Sequence, residues 1–409
     1  MARVFPVKMV LSLIALGGVS WLATNAHVYN DYLRGIYFSL TLISVTVIHL
    51  RLHADRRDIL GVLAAGAALA LIDFKVFHFA LSAFGVLSFF GIASLSAIAL
   101  RAIWQKGASK ERLALAFVST LLVFSNSWPL FNLWTEKLNP KVLDLYLYSF
   151  DASLRVQLSF LMGQTYAVWH RFGDLGMFFY VGIPITGALV FAGQLVRDQQ
   201  KAIRAMTAFL IAGPLGVIFY NLYPALGPAH VFFERWPWYP LTLDQASRLR
   251  LEPVALVGLR NAMPSLHMTW VLLAWWYSRG LSIWERSAAI CFVIFTAFST
   301  LGTGEHYLID LVVAFPFALF TYGLSTLDLR WRDPQRVAAI VRGLGLTLLW
   351  IAALRFGVKG FWVSPIVPWV ACVSTVGYTI FFQKRLWQAS EKGIQAVSVA
   401  TCNAPLAVS

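Results

Sequence analysis

Long, mostly apolar runs recur along the whole chain, and no water-soluble fold can bury so many of them. A helix needs about 20 apolar residues to cross the hydrocarbon of a bilayer. The runs predict twelve transmembrane helices, over residues 7–26, 33–50, 58–80, 82–104, 112–131, 175–197, 203–223, 264–279, 286–302, 306–328, 337–356 and 362–382. Composition agrees: 59% of the 409 residues are hydrophobic and 13% charged, where a soluble domain carries about 25% charged residues. Too few charges remain to cover a particle in water, which excludes soluble globular, disordered and collagen-like classes. The expected fold class is all-α, a polytopic integral membrane protein. Arg3 and Lys8 before a short apolar stretch ending in Ala23-Thr24-Asn25-Ala26 also fit a signal peptide. The stretch is long enough to span and more helices follow, so it is read as the first span.

Thirty-three Lys and Arg against 19 Asp and Glu give a net charge of +14. In a membrane protein such an excess reports topology, not nucleic-acid binding. In the twelve-helix arrangement Arg51, Arg56, Arg57, Arg101, Lys106, Lys110, Arg112, Arg197, Lys201, Arg204, Arg279, Arg286, Arg330 and Arg332 share the side of the N-terminus. The short loops opposite hold only Arg34, Lys75, Arg355 and Lys359. Both termini are therefore expected to be cytoplasmic. Two long segments, 132–174 and 224–263, then face the other side, with Trp128, Trp134, Trp169, Trp236 and Trp238 as interfacial anchors. Cys291, Cys372 and Cys402 have neither the number nor the spacing for a disulfide framework or metal cluster.

Two segments carry chemistry. Residues 260–267 read Arg260-Asn261-Ala262-Met263-Pro264-Ser265-Leu266-His267 and open the eighth predicted helix. Pro264 at a first helical position leaves neighbouring N–H groups free, a terminus suited to phosphate, with Ser265 as an added donor and His267 in the first turn. Residues 299–310 run from Ser299-Thr300 through Gly302, Gly304 and His306 to Asp310. His306 and Asp310, four apart, share a helical face. The carboxylate can take the Nδ1 proton of the imidazole and leave Nε2 nucleophilic. Gly302 and Gly304 allow the backbone to bend and approach a ligand. Both segments fall at the non-cytoplasmic ends of their helices. A hydrogen-bonded packing histidine is the alternative for each alone, but ionisable groups at such depth presume function.

These residues resemble the type 2 phosphatidic acid phosphatase superfamily. Its second signature, Pro-Ser-x-His, is present as Pro264 to His267, and the end of its third, Gly-x-His-x-x-x-Asp, as Gly304 to Asp310. The resemblance implies a six-helix catalytic core over 112–328, preceded by N-terminal membrane helices in 1–111 and followed by two further helices in 329–383 and a cytoplasmic tail, 384–409. It implies His306 as the nucleophile that forms a phosphohistidine, Asp310 as its orienting partner and His267 as general acid and base. Ser265, Ser299 and the Gly304 backbone would hold phosphoryl oxygens. No metal or cofactor is implied. The first signature, a Lys followed by Arg-Pro, is not matched in Asn221 to Ala229, and Thr300 stands where the third signature has Arg. A Ser-Thr start, Pro-Ser-Leu-His and Tyr223-Pro224-x-x-x-Pro228 resemble the inositol phosphorylceramide synthase branch, which transfers head groups between lipids. Arg260 is the candidate for the missing guanidinium, with Arg248 and Arg250 behind it.

The expected partners are a phospholipid or lipid phosphate, a lipid acceptor and the membrane. A phosphatase releasing inorganic phosphate and, from another class, a polytopic transporter stay open. Asp73, Lys75 and His78 form a second polar group, read as an interfacial ion pair or a head-group pocket. Residues 150–171 read as an interfacial helix, with Phe150, Leu154, Leu158, Leu161 and Met162 at helical spacing.

Overall fold

A computed structural model describes residues 36–72, 74–75 and 83–402. The first predicted span lies outside them, as do Asp73 and His78. In chain order the α-helices are α1 (Ile36–Leu52), α2 (Arg56–Ile72), α3 (Ala83–Trp104), α4 (Ser109–Leu138), α5 (Asp144–Ser153), α6 (Leu158–Val168), α7 (His170–Val181), α8 (Ile183–Arg197), α9 (Gln199–Leu222), α10 (Pro228–Phe232), α11 (Leu243–Ser247), α12 (Leu266–Tyr277), α13 (Ile283–Gly302), α14 (Leu308–Ser325), α15 (Pro334–Gly357) and α16 (Ile366–Cys402). A short antiparallel ladder joins β1 (Lys141–Val142) to β2 (Val254–Ala255), with Lys141 opposite Ala255.

Among the described residues, 6 helices are long and apolar enough to cross a membrane: 85–104, 199–222, 283–302, 308–325, 334–363 and 366–392. A seventh crossing is the pair α7 and α8, bent by 52°. The bend falls at Gly182, where a Cβ would lie 2.5 Å from the Phe178 carbonyl oxygen, and Pro184 follows in the first turn of α8. Twelve crossings are thus not what these residues support. α1 and α2 are 17 residues each. The eighth predicted span, 264–279, is a 12-residue helix, α12, whose length of about 18 Å falls short of the hydrocarbon thickness.

Among the described residues, one compact unit comprises those from 36 to 134 with 174–206 and 274–296. Its core joins Val45 and Ile48 of α1, Ile98 of α3, Ala114 and Phe117 of α4 and Phe191 of α8. Phe117 and Phe191 stack with ring centroids 4.2 Å apart. Gly91 of α3 lies so close to α1 that a Cβ would meet the Leu42 carbonyl oxygen at 2.2 Å.

The second unit, residues 135–173, 207–273 and 297–409, contains both motif segments. Its core gathers Leu147, Tyr148 and Phe150 of α5 with Phe160, Tyr223, Met263, Tyr307, Ile309, Val313 and Trp350. Phe150 is wedged edge-on between Trp350 and Phe361, 5.4 and 4.8 Å away. The interfacial helix expected over 150–171 is two helices. Arg155, at φ +64, takes the left-handed conformation that stops α5, and α6 starts afresh at Leu158.

Candidate active site

The second motif is shaped by Ser265. α12 begins at Leu266, not at Pro264 as the sequence predicts, because Ser265 acts as its N-cap: the hydroxyl accepts the Met268 N–H at 3.3 Å. The Ser265 N–H donates to the Asp310 carbonyl at 3.2 Å, tying the start of α12 to the start of α14. Oγ of Ser265 also lies 3.2 Å from Nε2 of His306. A hydroxyl has one proton to donate. The Met268 N–H takes one lone pair of Oγ and leaves that proton available to His306 Nε2.

His306 is 1% exposed and Asp310 fully buried. Nδ1 of His306 faces Oδ2 of Asp310 at 3.5 Å, and the same oxygen accepts the Tyr307 N–H at 2.8 Å. Both contacts favour one tautomer, with the proton on Nδ1 and the Nε2 lone pair turned toward the Ser265 hydroxyl. His267 lies beside it, the two ring centroids 6.2 Å apart. His306, Asp310, His267 and Ser265 thus converge although they come from separate segments.

The other sequence candidates are placed differently. Gly304 has φ +74, and a Cβ there would lie 2.6 Å from the Ala229 Cβ and 2.8 Å from the Trp236 ring. Glycine is required for close packing. Its N–H donates to Leu301 O at 3.1 Å. Ser299 is buried and accepts the Tyr166 hydroxyl at 3.0 Å.

Arg260 is placed away from the two histidines' hydrogen-bond partners. Its guanidinium faces the loops, Nε donating to Asn139 O at 3.0 Å, Nη2 to Leu256 O at 2.6 Å and Pro140 O at 3.3 Å, and Nη1 to Gly258 O, with Glu136 3.6 Å from Nη1. A guanidinium has five N–H donors. Four are hydrogen-bonded to loop carbonyls and the remaining side of Nη1 faces Glu136, so the guanidinium is turned to the loops. Arg248 and Arg250 are 79% and 87% exposed and pair with Asp244 and Glu252.

Several supporting residues were not anticipated. Asp151 accepts the N–H groups of Leu308 at 2.7 Å and Ile309 at 3.2 Å. Asp144 holds Gly227 N–H at 2.8 Å and Leu226 N–H at 3.1 Å. Burial pushes these carboxyls up to about 8 and about 7, against the opposing pull of the backbone donors. Ser159 donates to the His306 carbonyl at 3.0 Å. His230 pairs with Glu305 at 3.4 Å, and that hydrogen bond raises the imidazole above its ordinary value. One signal was available: Asp144 and Asp151 are seven apart on one short helix, and so lie on one face.

A buried histidine–carboxylate pair with a second histidine at a serine-capped helix start, in a chain with several membrane-length apolar helices, fits a multi-pass membrane protein with a polar histidine site. Residues 145–324 match the family model of the PAP2 superfamily, a stretch that begins in α5 and contains both motifs. That match supports a phosphatase-type lipid enzyme. No curated protein and no solved structure matches the chain.

Proposed function

We propose that the chain transfers a phosphorylated head group between membrane lipids through a phosphohistidine on His306. The observation that carries this reading is the line Ser265–His306–Asp310, with His267 6.2 Å from the nucleophile. Nε2 of His306 attacks phosphorus as the bond to the leaving alkoxide breaks. His267 supplies that alkoxide with a proton, a contribution of roughly 10²–10⁴-fold for a positioned acid. Asp310 stabilises the positive charge that develops on the imidazole. The Ser265 proton, released from Nε2 as the lone pair is used, is available to a phosphoryl oxygen. In the second half-reaction His267 takes the proton of the acceptor hydroxyl, the oxygen attacks phosphorus, and the phosphorus–nitrogen bond breaks.

The engagement of Arg260 and the Thr300 departure favour a diester donor over a monoester, since a dianionic monoester demands more compensating charge. They support the inositol phosphorylceramide synthase-like branch, with the site on the non-cytoplasmic face and both termini cytoplasmic. The second reading is hydrolysis of a lipid or polyprenyl phosphate, with water as acceptor. Incubating purified protein with phosphorus-labelled phospholipids and an acceptor lipid separates them. Label is expected on the second lipid; label released only as inorganic phosphate supports the phosphatase, and no turnover of any phospholipid or lipid phosphate overturns both.

A further inference from the structure

Asp151 has no part in the chemistry above, yet it is 3% exposed and both its oxygens point at the start of the catalytic helix. The N–H groups of Leu308 and Ile309 open α14 and have no partner within that helix. Asp151 takes both, at 2.7 and 3.2 Å. The preceding N–H, from Tyr307, goes to Asp310 itself at 2.8 Å. Three consecutive backbone donors are therefore fixed by two carboxylates, one from α5 and one from α14. His306 lies immediately before these donors and Asp310 immediately after. A second contact from the same part of the chain, Ser159 Oγ to the His306 carbonyl, holds the nucleophile's own backbone at 3.0 Å.

The His306–Asp310 separation is long for a hydrogen bond, 3.5 Å, and neither Nδ1 of His306 nor Oδ1 of Asp310 has a hydrogen-bond partner. A pair set at that distance depends on backbone placement, because apart from Ser265 at the far side of the imidazole no side-chain hydrogen bond holds it. A shift of the first turn of α14 moves Asp310 and leaves the imidazole without its anchor.

We propose that Asp151 is a positioning residue for the His306–Asp310 pair, holding the first turn of α14 so that Asp310 fixes the His306 tautomer. The proposal rests on the reading of His306 as the nucleophile. It assigns Asp151 an effect on the bond-making step and none on lipid binding.

The test uses the full chain in lipid nanodiscs, as wild type, Asp151→Asn and Asp151→Ala. Asn keeps one acceptor oxygen of the two and Ala keeps neither. On the best phospholipid substrate, Asp151→Ala is expected to lower kcat by roughly 10- to 100-fold with KM changed less than about twofold, and Asp151→Asn to lie between it and wild type. A second measurement is independent of activity. With ¹⁵N-labelled histidine and the His306 signal identified by its loss in His306→Gln, solid-state NMR should show His306 protonated at Nδ1 in wild type and as a tautomer mixture in Asp151→Ala. Unchanged kcat together with an unchanged tautomer overturns the proposal. So does failure of both Asp151 variants to fold, which would make the residue a structural cap alone. If wild type turns over no phospholipid while the tautomer still shifts in Asp151→Ala, the functional reading falls and the positioning role stands.

Discussion

Replacing Arg260 by alanine separates a structural guanidinium from a catalytic one. The side chain is 1% exposed, and removing it leaves the carbonyls of Asn139, Pro140, Leu256 and Gly258 and the Glu136 carboxylate without their shared donor. Leaving a buried acceptor unpaired costs about 1–3 kcal/mol, so losing the donor to several carbonyls amounts to about 3–5 kcal/mol. Some of these acceptors turn to water in the variant, which puts the expected loss toward the lower end. In a chain of 409 residues that corresponds to a fall in melting temperature of roughly 3–6 °C. Arg260→Lys should recover little of it, because an ammonium cannot serve carbonyls on several sides as a planar fork does. The assay is tryptophan-fluorescence melting of detergent-purified protein, with turnover per folded molecule measured well below the transition. The expected outcome is a thermal shift of that size and a modest change in turnover. A melting temperature within a degree of wild type, combined with a hundredfold loss of kcat, would refute this account and return Arg260 to the phosphate.

His306→Ala is expected to abolish turnover and covalent labelling, while His267→Ala still forms the phosphoprotein from a donor with a good leaving group, which needs no acid; phosphoprotein trapped in His306→Ala but not in wild type refutes the roles. His230 is held above its ordinary value by Glu305, so the stabilisation from their pairing is fully present below about pH 6.5 and is lost as pH rises through the elevated value. Wild type should therefore lose thermal stability across that window more steeply than His230→Gln, and parallel melting curves against pH count against the pairing. Single cysteines at Glu234 and Arg332 in a cysteine-free background should label from opposite sides with an impermeant reagent, and labelling of Arg332→Cys from outside inverts the topology.

The motif residues were legible because their chemistry is local. Pro264-Ser265-Leu266-His267 and the four-residue spacing of His306 and Asp310 hold their meaning in any helical context. Placing α12 one turn short was not legible, since Ser265 competes with Pro264 as the start signal and wins through a cap to Met268 that only the folded backbone displays. The crossing count failed for a related reason. Apolar runs were counted as spans, but α12 stops after 12 residues, and Gly182 and Pro184 bend one run into α7 and α8. Hydropathy measures what lipid tolerates, while helix length is set by caps and breakers.

Where the Arg260 guanidinium turns is geometry that spacing along the chain cannot supply. Nearness in sequence to Pro264 says nothing about which way a guanidinium turns, and the competing acceptors Asn139 and Pro140 lie about 120 residues away. The same consideration explains why Asp144 and Asp151 passed unnoticed. Their i, i+7 spacing on one short helix marks a polar stripe, but the stripe gains meaning only when Leu226, Gly227, Leu308 and Ile309 bring their N–H groups to it. Burying two carboxylates costs heavily unless donors meet them. The loops that meet them here are the one leading into α10 and the one leading from His306 into α14. The acids of α5 are thus accounted for by what they hold in place, and the backbone on both sides of Gly304 is what they hold: Gly227 lies where a Cβ would meet the Glu305 and Gly304 carbonyls at 2.5 and 2.6 Å. The carboxyl stripe behind the motif thus fixes the backbone of both loops that meet at Gly304.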